Sequence, residues 1–200
     1  DRFARYLQTL EGWARDRGVT APLLVNIHGT GGGRGLTYPI GVSQLAPAYR
    51  GREGVTGGTD MYLGELTVQN VADLYLGNAF TSAVHGPDQP LTALEFDAGD
   101  GDYGEDLASL TSPDATVLKT LLDVAQGTRA INYYLFAGGI NPLLEQPVGD
   151  GDDRIGFTGE RHGFAAPIGP EGEPSPALAG VAEATAAVRA HERLFAEGAQ

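Results

Sequence analysis

The stretch PLTALEFDAG, residues 90–99, decides how this chain is read. Leu91, Ala93, Leu94 and Phe96 make an apolar run of strand length, and the chain then breaks into Asp97, Gly99, Asp100 and Gly101. Inside that run stands Glu95. A carboxylate at the end of a buried strand must be hydrogen-bonded, paired, or kept at a cost for a function. Taken alone, the residue fits a structural anchor as well as a catalytic acid.

Working outward, RAINYYLFAGG (129–139) is the strongest strand signal in the chain, rich in β-branched and aromatic residues. Between the two strands, Ser112-Pro113-Asp114 opens a helix over about 114–126 and Gly127 ends it. Upstream, TDMYLGEL (59–66) reads as a short strand. Residues 67–82 read as a helix with Val68, Val71, Ala72, Leu74 and Tyr75 facing inward. Pro22 to Ile27 reads as a strand, and the Gly-rich segment from there to about Gly58 as a loop. A first helix, about 2–17, shows Phe3, Leu7, Leu10 and Ala14 on one face and stops at Gly18. After a long Gly/Pro/Asp loop, a last helix over 176–197 spaces Leu178, Val181, Val188 and Leu194 for burial.

The order is one helix and then four βα units, which predicts an α/β fold with parallel strands and helical crossovers. Sites in such folds lie at the carboxyl ends of the strands. Glu95 falls there, with Asn26, His28, Tyr62, Tyr134, Phe136 and Asn141. Tyr133 and Tyr134 alternate across their strand, so only one of them points inward.

Composition narrows the function. A hydrophobic fraction of 42% supports a core, and no stretch reaches the roughly 20 apolar residues of a membrane helix. A formal charge of -13 argues against a nucleic-acid partner, which needs a positive face. There are no cysteines, so disulfides and thiolate metal sites are excluded. The chain starts at Asp1 with a helix already under way, and Met61 is its sole methionine; both lead us to expect a piece of a longer protein.

Several motifs fall away on inspection. LVNIHGTGGGRG (24–35) lacks the Gly-Lys-Ser/Thr of a phosphate loop, and no Gly-x-Ser-x-Gly accompanies it as an esterase would need. It reads better as a loop that lets Asn26 or His28 face a ligand. The acidic runs DAGDGDYGED (97–106) and GDGDD (149–153) miss the calcium-loop spacing. His28, His85, His162 and His191 show no zinc-binding spacing. The expectation is therefore no metal and no cofactor.

INYYLFAGGINP (131–142) followed by GFAAPIGPEGEP (163–174) resembles the end of the catalytic barrel in glycoside hydrolase family 35, the β-galactosidases. ALEF (93–96) is similar to the strand that carries that family's nucleophile, one βα unit earlier. RGVTAPLLVN (17–26) resembles the approach to the family's fifth strand. The resemblance implies strands five to eight of a (β/α)8 TIM barrel, the rest of which lies upstream on the same parent chain. It implies a retaining hydrolase of terminal β-galactosides, with Glu95 as nucleophile and carbohydrate as partner. Inward hydroxyls such as Tyr62 or Tyr134 would donate to Glu95. The acid/base, in an Asn-Glu motif after strand four, would precede residue 1, leaving this chain inactive by itself. One departure stands out: His162, Gly163 and Phe164 occupy positions where many relatives carry Tyr-Asp-Tyr. Two alternatives remain open, a carbohydrate-binding barrel that lost catalysis and a four-stranded open sheet of flavodoxin type.

Overall fold

The structure is a computed structural model and describes residues 2–27, 40–98, 112–140, 142, 161–162 and 166–198; side chains of 40–44 and 161–162 are outside the description. Its main sheet has four strands: β1 (Leu23–Ile27), β2 (Val55–Met61), β3 (Thr92–Asp97) and β4 (Ala130–Tyr134). They are parallel and lie in the order β1-β2-β3-β4. Helices alternate with them: α1 (Arg2–Asp16), α2 (Ile40–Tyr49), α3 (Val71–Val84), α4 (Pro113–Ala125), α5 (Pro176–Ala190) and α6 (Glu192–Glu197). This is the α/β pattern that the sequence predicts. A short antiparallel pair, β5 (Gly139–Ile140) with β6 (Arg161–His162), stands apart from the main sheet.

By its internal packing the chain divides into two compact units. The first holds Asp1–Phe96, Leu122–Asn132 and Gly198–Gln200; the second holds Asp97–Leu121 and Tyr133–Glu197. In the first unit, Ile27, Ala46, Tyr49 and Val55 form a core, with Leu23, Val25, Leu45 and Val84 packed on it. This corrects the reading of everything up to Gly58 as loop. Pro47 costs α2 one backbone hydrogen bond, but Ala46, Ala48 and Tyr49 are buried, and that burial outweighs local propensity.

The glycines of β2 explain why that strand was hard to see. A Cβ at Gly57 would stand 2.8 Å from the Tyr49 ring, and one at Gly58 would stand 2.5 Å from Leu94 Cγ and 2.8 Å from Thr92 O. Both positions lack side chains because neighbours fill the space, so the glycines mark close approach inside a strand, not a loop.

Other expectations need correction. Of the inner positions assigned to α3, only Leu74 is fully buried; its buried stripe is Leu74, Asn78 and Thr81, while Val68, Val71 and Tyr75 are exposed. Polar residues with hydrogen-bond partners displaced the apolar pattern there. The strand expected over 129–139 ends at Tyr134, because Leu135 takes a positive φ of 54°. The last helix breaks at His191 into α5 and α6, and Leu194 lies exposed. On α1, Phe3, Tyr6, Leu10 and Trp13 are exposed whereas Ala4 is buried, so its apolar face is not its buried face among the described residues. Gly18 does end α1, at φ 83°, and Arg15 donates to the carbonyls of Val19 and Ala21 just beyond it.

In the second unit, Lys119, the only lysine in the chain, is wholly buried on α4. Its ammonium donates to Asp97 Oδ2 at 3.0 Å and to the Asp97 carbonyl at 3.1 Å. Removing one partner of a buried pair strands the other charge. Lys119→Met is expected to cost about 3–5 kcal/mol in chemical denaturation, with most of the loss recovered when Asp97→Leu is added.

Candidate active site

All four parallel strands present their carboxyl ends on one edge of the sheet, and in the first unit that edge gathers three polar side chains. Glu95 lies third from the end of β3, Asn26 next to last on β1, and Tyr62 just past the end of β2. Asn26 Nδ2 donates to Glu95 Oε1 at 2.6 Å, and the Tyr62 hydroxyl donates to Glu95 Oε2 at 2.6 Å. Each carboxylate oxygen thus accepts one bond from a neutral donor and keeps a further lone pair. Bonds of this kind to a charged group are short and strong, and two from different strands fix the carboxylate's rotation.

The register explains how residues on three strands meet. Asn26 aligns with Gly58 on β2, and Asp60 aligns with Glu95 on β3. Between Thr59 and Asp60 the pairing with β3 slips: Thr59 faces Ala93 but Asp60 already faces Glu95. Leu94 is therefore an extra residue, a bulge, and it turns Glu95 onto the face that Asn26, Gly58 and Asp60 share. Asn26 must reach over β2 to touch Glu95. Glu95 is half-buried while its flanking neighbours Leu94 and Phe96 are buried, so only the acid reaches outward.

Of the residues expected at a site, Glu95, Asn26 and Tyr62 are brought together. The hydroxyl seen on Glu95 is that of Tyr62. In the second unit Tyr134 ends β4 exposed, its carbonyl accepting from Ala98 N–H at 3.2 Å. Phe136 is half-buried and its ring lies 5.9 Å from that of Tyr133, whose hydroxyl bonds Thr120 Oγ1 at 2.9 Å. His28 and Asn141 lie outside the described residues, as do Gly163, Phe164 and most of both acidic runs. Sequence reasoning missed Gly58, the Leu94 bulge and the buried Asp60. The doubled glycine in TGGTD was the available signal.

Among the described residues no group of three or more His, Asp or Glu side chains could hold a metal ion. Among the same residues no helix is long and apolar enough to cross a membrane. Compared with known proteins, the chain matches no family model and no curated protein sequence.

Proposed function

We propose that this chain is part of a retaining glycoside hydrolase acting on terminal β-galactosides, and that Glu95 is its nucleophile. The observation that carries the reading is the carboxylate at the end of a parallel strand with both oxygens held, one by Asn26 and one by Tyr62. A purely structural acid needs no such placement at the strand ends, where α/β folds put their chemistry. The galactoside comes from the resemblance to glycoside hydrolase family 35.

The strand order supports a barrel portion, strands five to eight of a (β/α)8 fold. The four strands are added one after another in a single direction, β1 to β4. A flavodoxin-type sheet reverses its order at a switch point, and the described strands show no reversal.

In the proposed reaction an oxygen of Glu95 attacks the anomeric carbon through its unused lone pair. The bond from that carbon to the leaving oxygen breaks, and a second carboxyl group supplies the proton. Water then attacks the same carbon and gives its proton back to that second carboxylate, and the glycosyl ester on Glu95 breaks. Such pairs stand about 5–5.5 Å apart. On this reading the second carboxyl belongs to the other half of the barrel.

Two measurements on the full-length protein test the reading. Proton NMR of an aryl β-galactoside digest should show the β-anomer of the free sugar first, and the α-anomer first would overturn retention. Tyr62→Phe removes one bond to a charged oxygen, worth about 1.5–3 kcal/mol, so kcat/KM should fall roughly 10- to 150-fold with the fold intact. An unchanged kcat/KM would remove Tyr62, and with it the geometry of Glu95, from the chemistry.

A further inference from the structure

We propose that Asp123 is a proton-operated latch between α3 and α4, holding the two helices together when neutral and loosening them when ionised. The inference stands apart from the glycosidase reading and concerns the helices on either side of β3 in the chain.

The geometry is that of a buried acid with too few donors. Asp123 is 0% exposed on α4, and its Oδ1 accepts from Asn78 Nδ2 of α3 at 2.5 Å. Its Oδ2 and the hydroxyl of Thr128 are both buried and neither completes a hydrogen bond of good geometry, although that hydroxyl stands near enough to Asp123 to favour its ionised form. The Thr128 backbone N–H is taken up by the Asp123 carbonyl at 3.1 Å. Asn78 shares its amide with Gln126 Oε1 at 3.0 Å, so it cannot give Asp123 more. Asp123 also sits in the last turn of α4, where the helix dipole is negative and disfavours an anion.

Among the described residues no cation offsets this. On α4 itself Lys119, one turn earlier, is spent on Asp97. From α3 the group that reaches Asp123 is the neutral Asn78. After α4 come neutral Gln126 and Thr128, and then Arg129, whose guanidinium donates to the Gly198 carbonyl. Burial accordingly pushes the Asp123 carboxyl from 3.8 up to about 6, with the side chains of Asn78 and then Thr128 pulling the other way.

The sign follows from linkage. A carboxyl raised in the folded state binds more protons there than in the unfolded chain, so stability falls as pH rises. Below 3.8 both states are protonated and the latch is closed; the loss develops between 3.8 and about 6 and is complete above it. His85, at the end of α3, works in the opposite direction. Burial pushes its imidazole below the ordinary value, so its contribution is full above that value and is lost as pH falls.

A comparison with Asp123→Asn separates the two, because asparagine mimics the neutral acid and leaves His85 in place. The unfolding equilibrium constant, from urea titrations of the 200-residue chain, is taken as the ratio of wild type to variant. That ratio should rise about fiftyfold between pH 4 and pH 7. A flat ratio would overturn the latch. Carbon-13 NMR of the labelled Asp123 carboxyl in the folded chain gives an independent reading, whether or not the variant folds. A midpoint near 6 supports the latch, and one below about 4.5 sinks it.

Discussion

Glu95→Gln in the full-length protein is expected to lower kcat by at least about 10⁴-fold while leaving the fold and its melting temperature close to wild type. Glutamine keeps the size of the side chain, so it can still meet Tyr62 and Asn26 after an amide flip. What it loses is the charge that attacks the anomeric carbon. Size retained and charge lost separates chemistry from packing. Glu95→Ala goes further, because it opens the space behind the anomeric carbon. Azide added to that variant should attack from the vacated side and yield the α-glycosyl azide. Recovery of a β-azide, or full activity in Glu95→Gln, would place the nucleophile elsewhere.

The second large effect is structural and falls on a residue with no side chain. Gly58→Ala puts a carbon 2.5 Å from Leu94 Cγ and 2.8 Å from the Thr92 carbonyl, distances that no real Cβ tolerates. Leu94 could turn away, but Thr92 O belongs to the neighbouring strand and can move only with β3. The expected cost is about 3 kcal/mol in urea titration. Leu94→Ala added to it should recover only part of that loss, since the clash with the carbonyl stays. Because Leu94 is the bulge residue that aims Glu95, catalysis should fall by more than the loss of folded protein explains. Gly57→Ala offers the contrast. Its new carbon meets the Tyr49 ring at 2.8 Å and Ile27 Cδ1 at 3.1 Å, so it should unsettle the core on the other face of β2 without touching the carboxylate.

These two residues show how much the sequence disclosed. Glu95 was legible because a charge in an apolar strand contradicts its surroundings. Its donors were half legible: Asn26 and Tyr62 could be placed at strand ends, but only the register brings them onto the same carboxylate. The bulge at Leu94 has no signature of its own, because ALEF reads as an ordinary strand with or without an extra residue. Local composition misled where tertiary contacts overruled it. The glycines of β2 look like loop and are strand, since Tyr49 and Leu94 need the room. Val68, Val71 and Tyr75 look like a core face and are exposed, while Asn78 and Thr81 are buried because their polar atoms find partners in Asp123 and the Gly77 carbonyl. The alternation of helices and strands survived all of this, because it rests on period and length rather than on any one residue.

A bond between Glu95 and the sugar can be tested directly by one measurement. The full-length protein is incubated with a 2-deoxy-2-fluoro-β-galactoside carrying a dinitrophenolate leaving group. That group departs without a proton, so the step depends on the nucleophile and not on its acid partner. An added glycosyl mass is expected, mapped by peptide sequencing to the segment that contains PLTALEFDAG and to Glu95 within it. A label on any other residue, or turnover with no label, would contradict it.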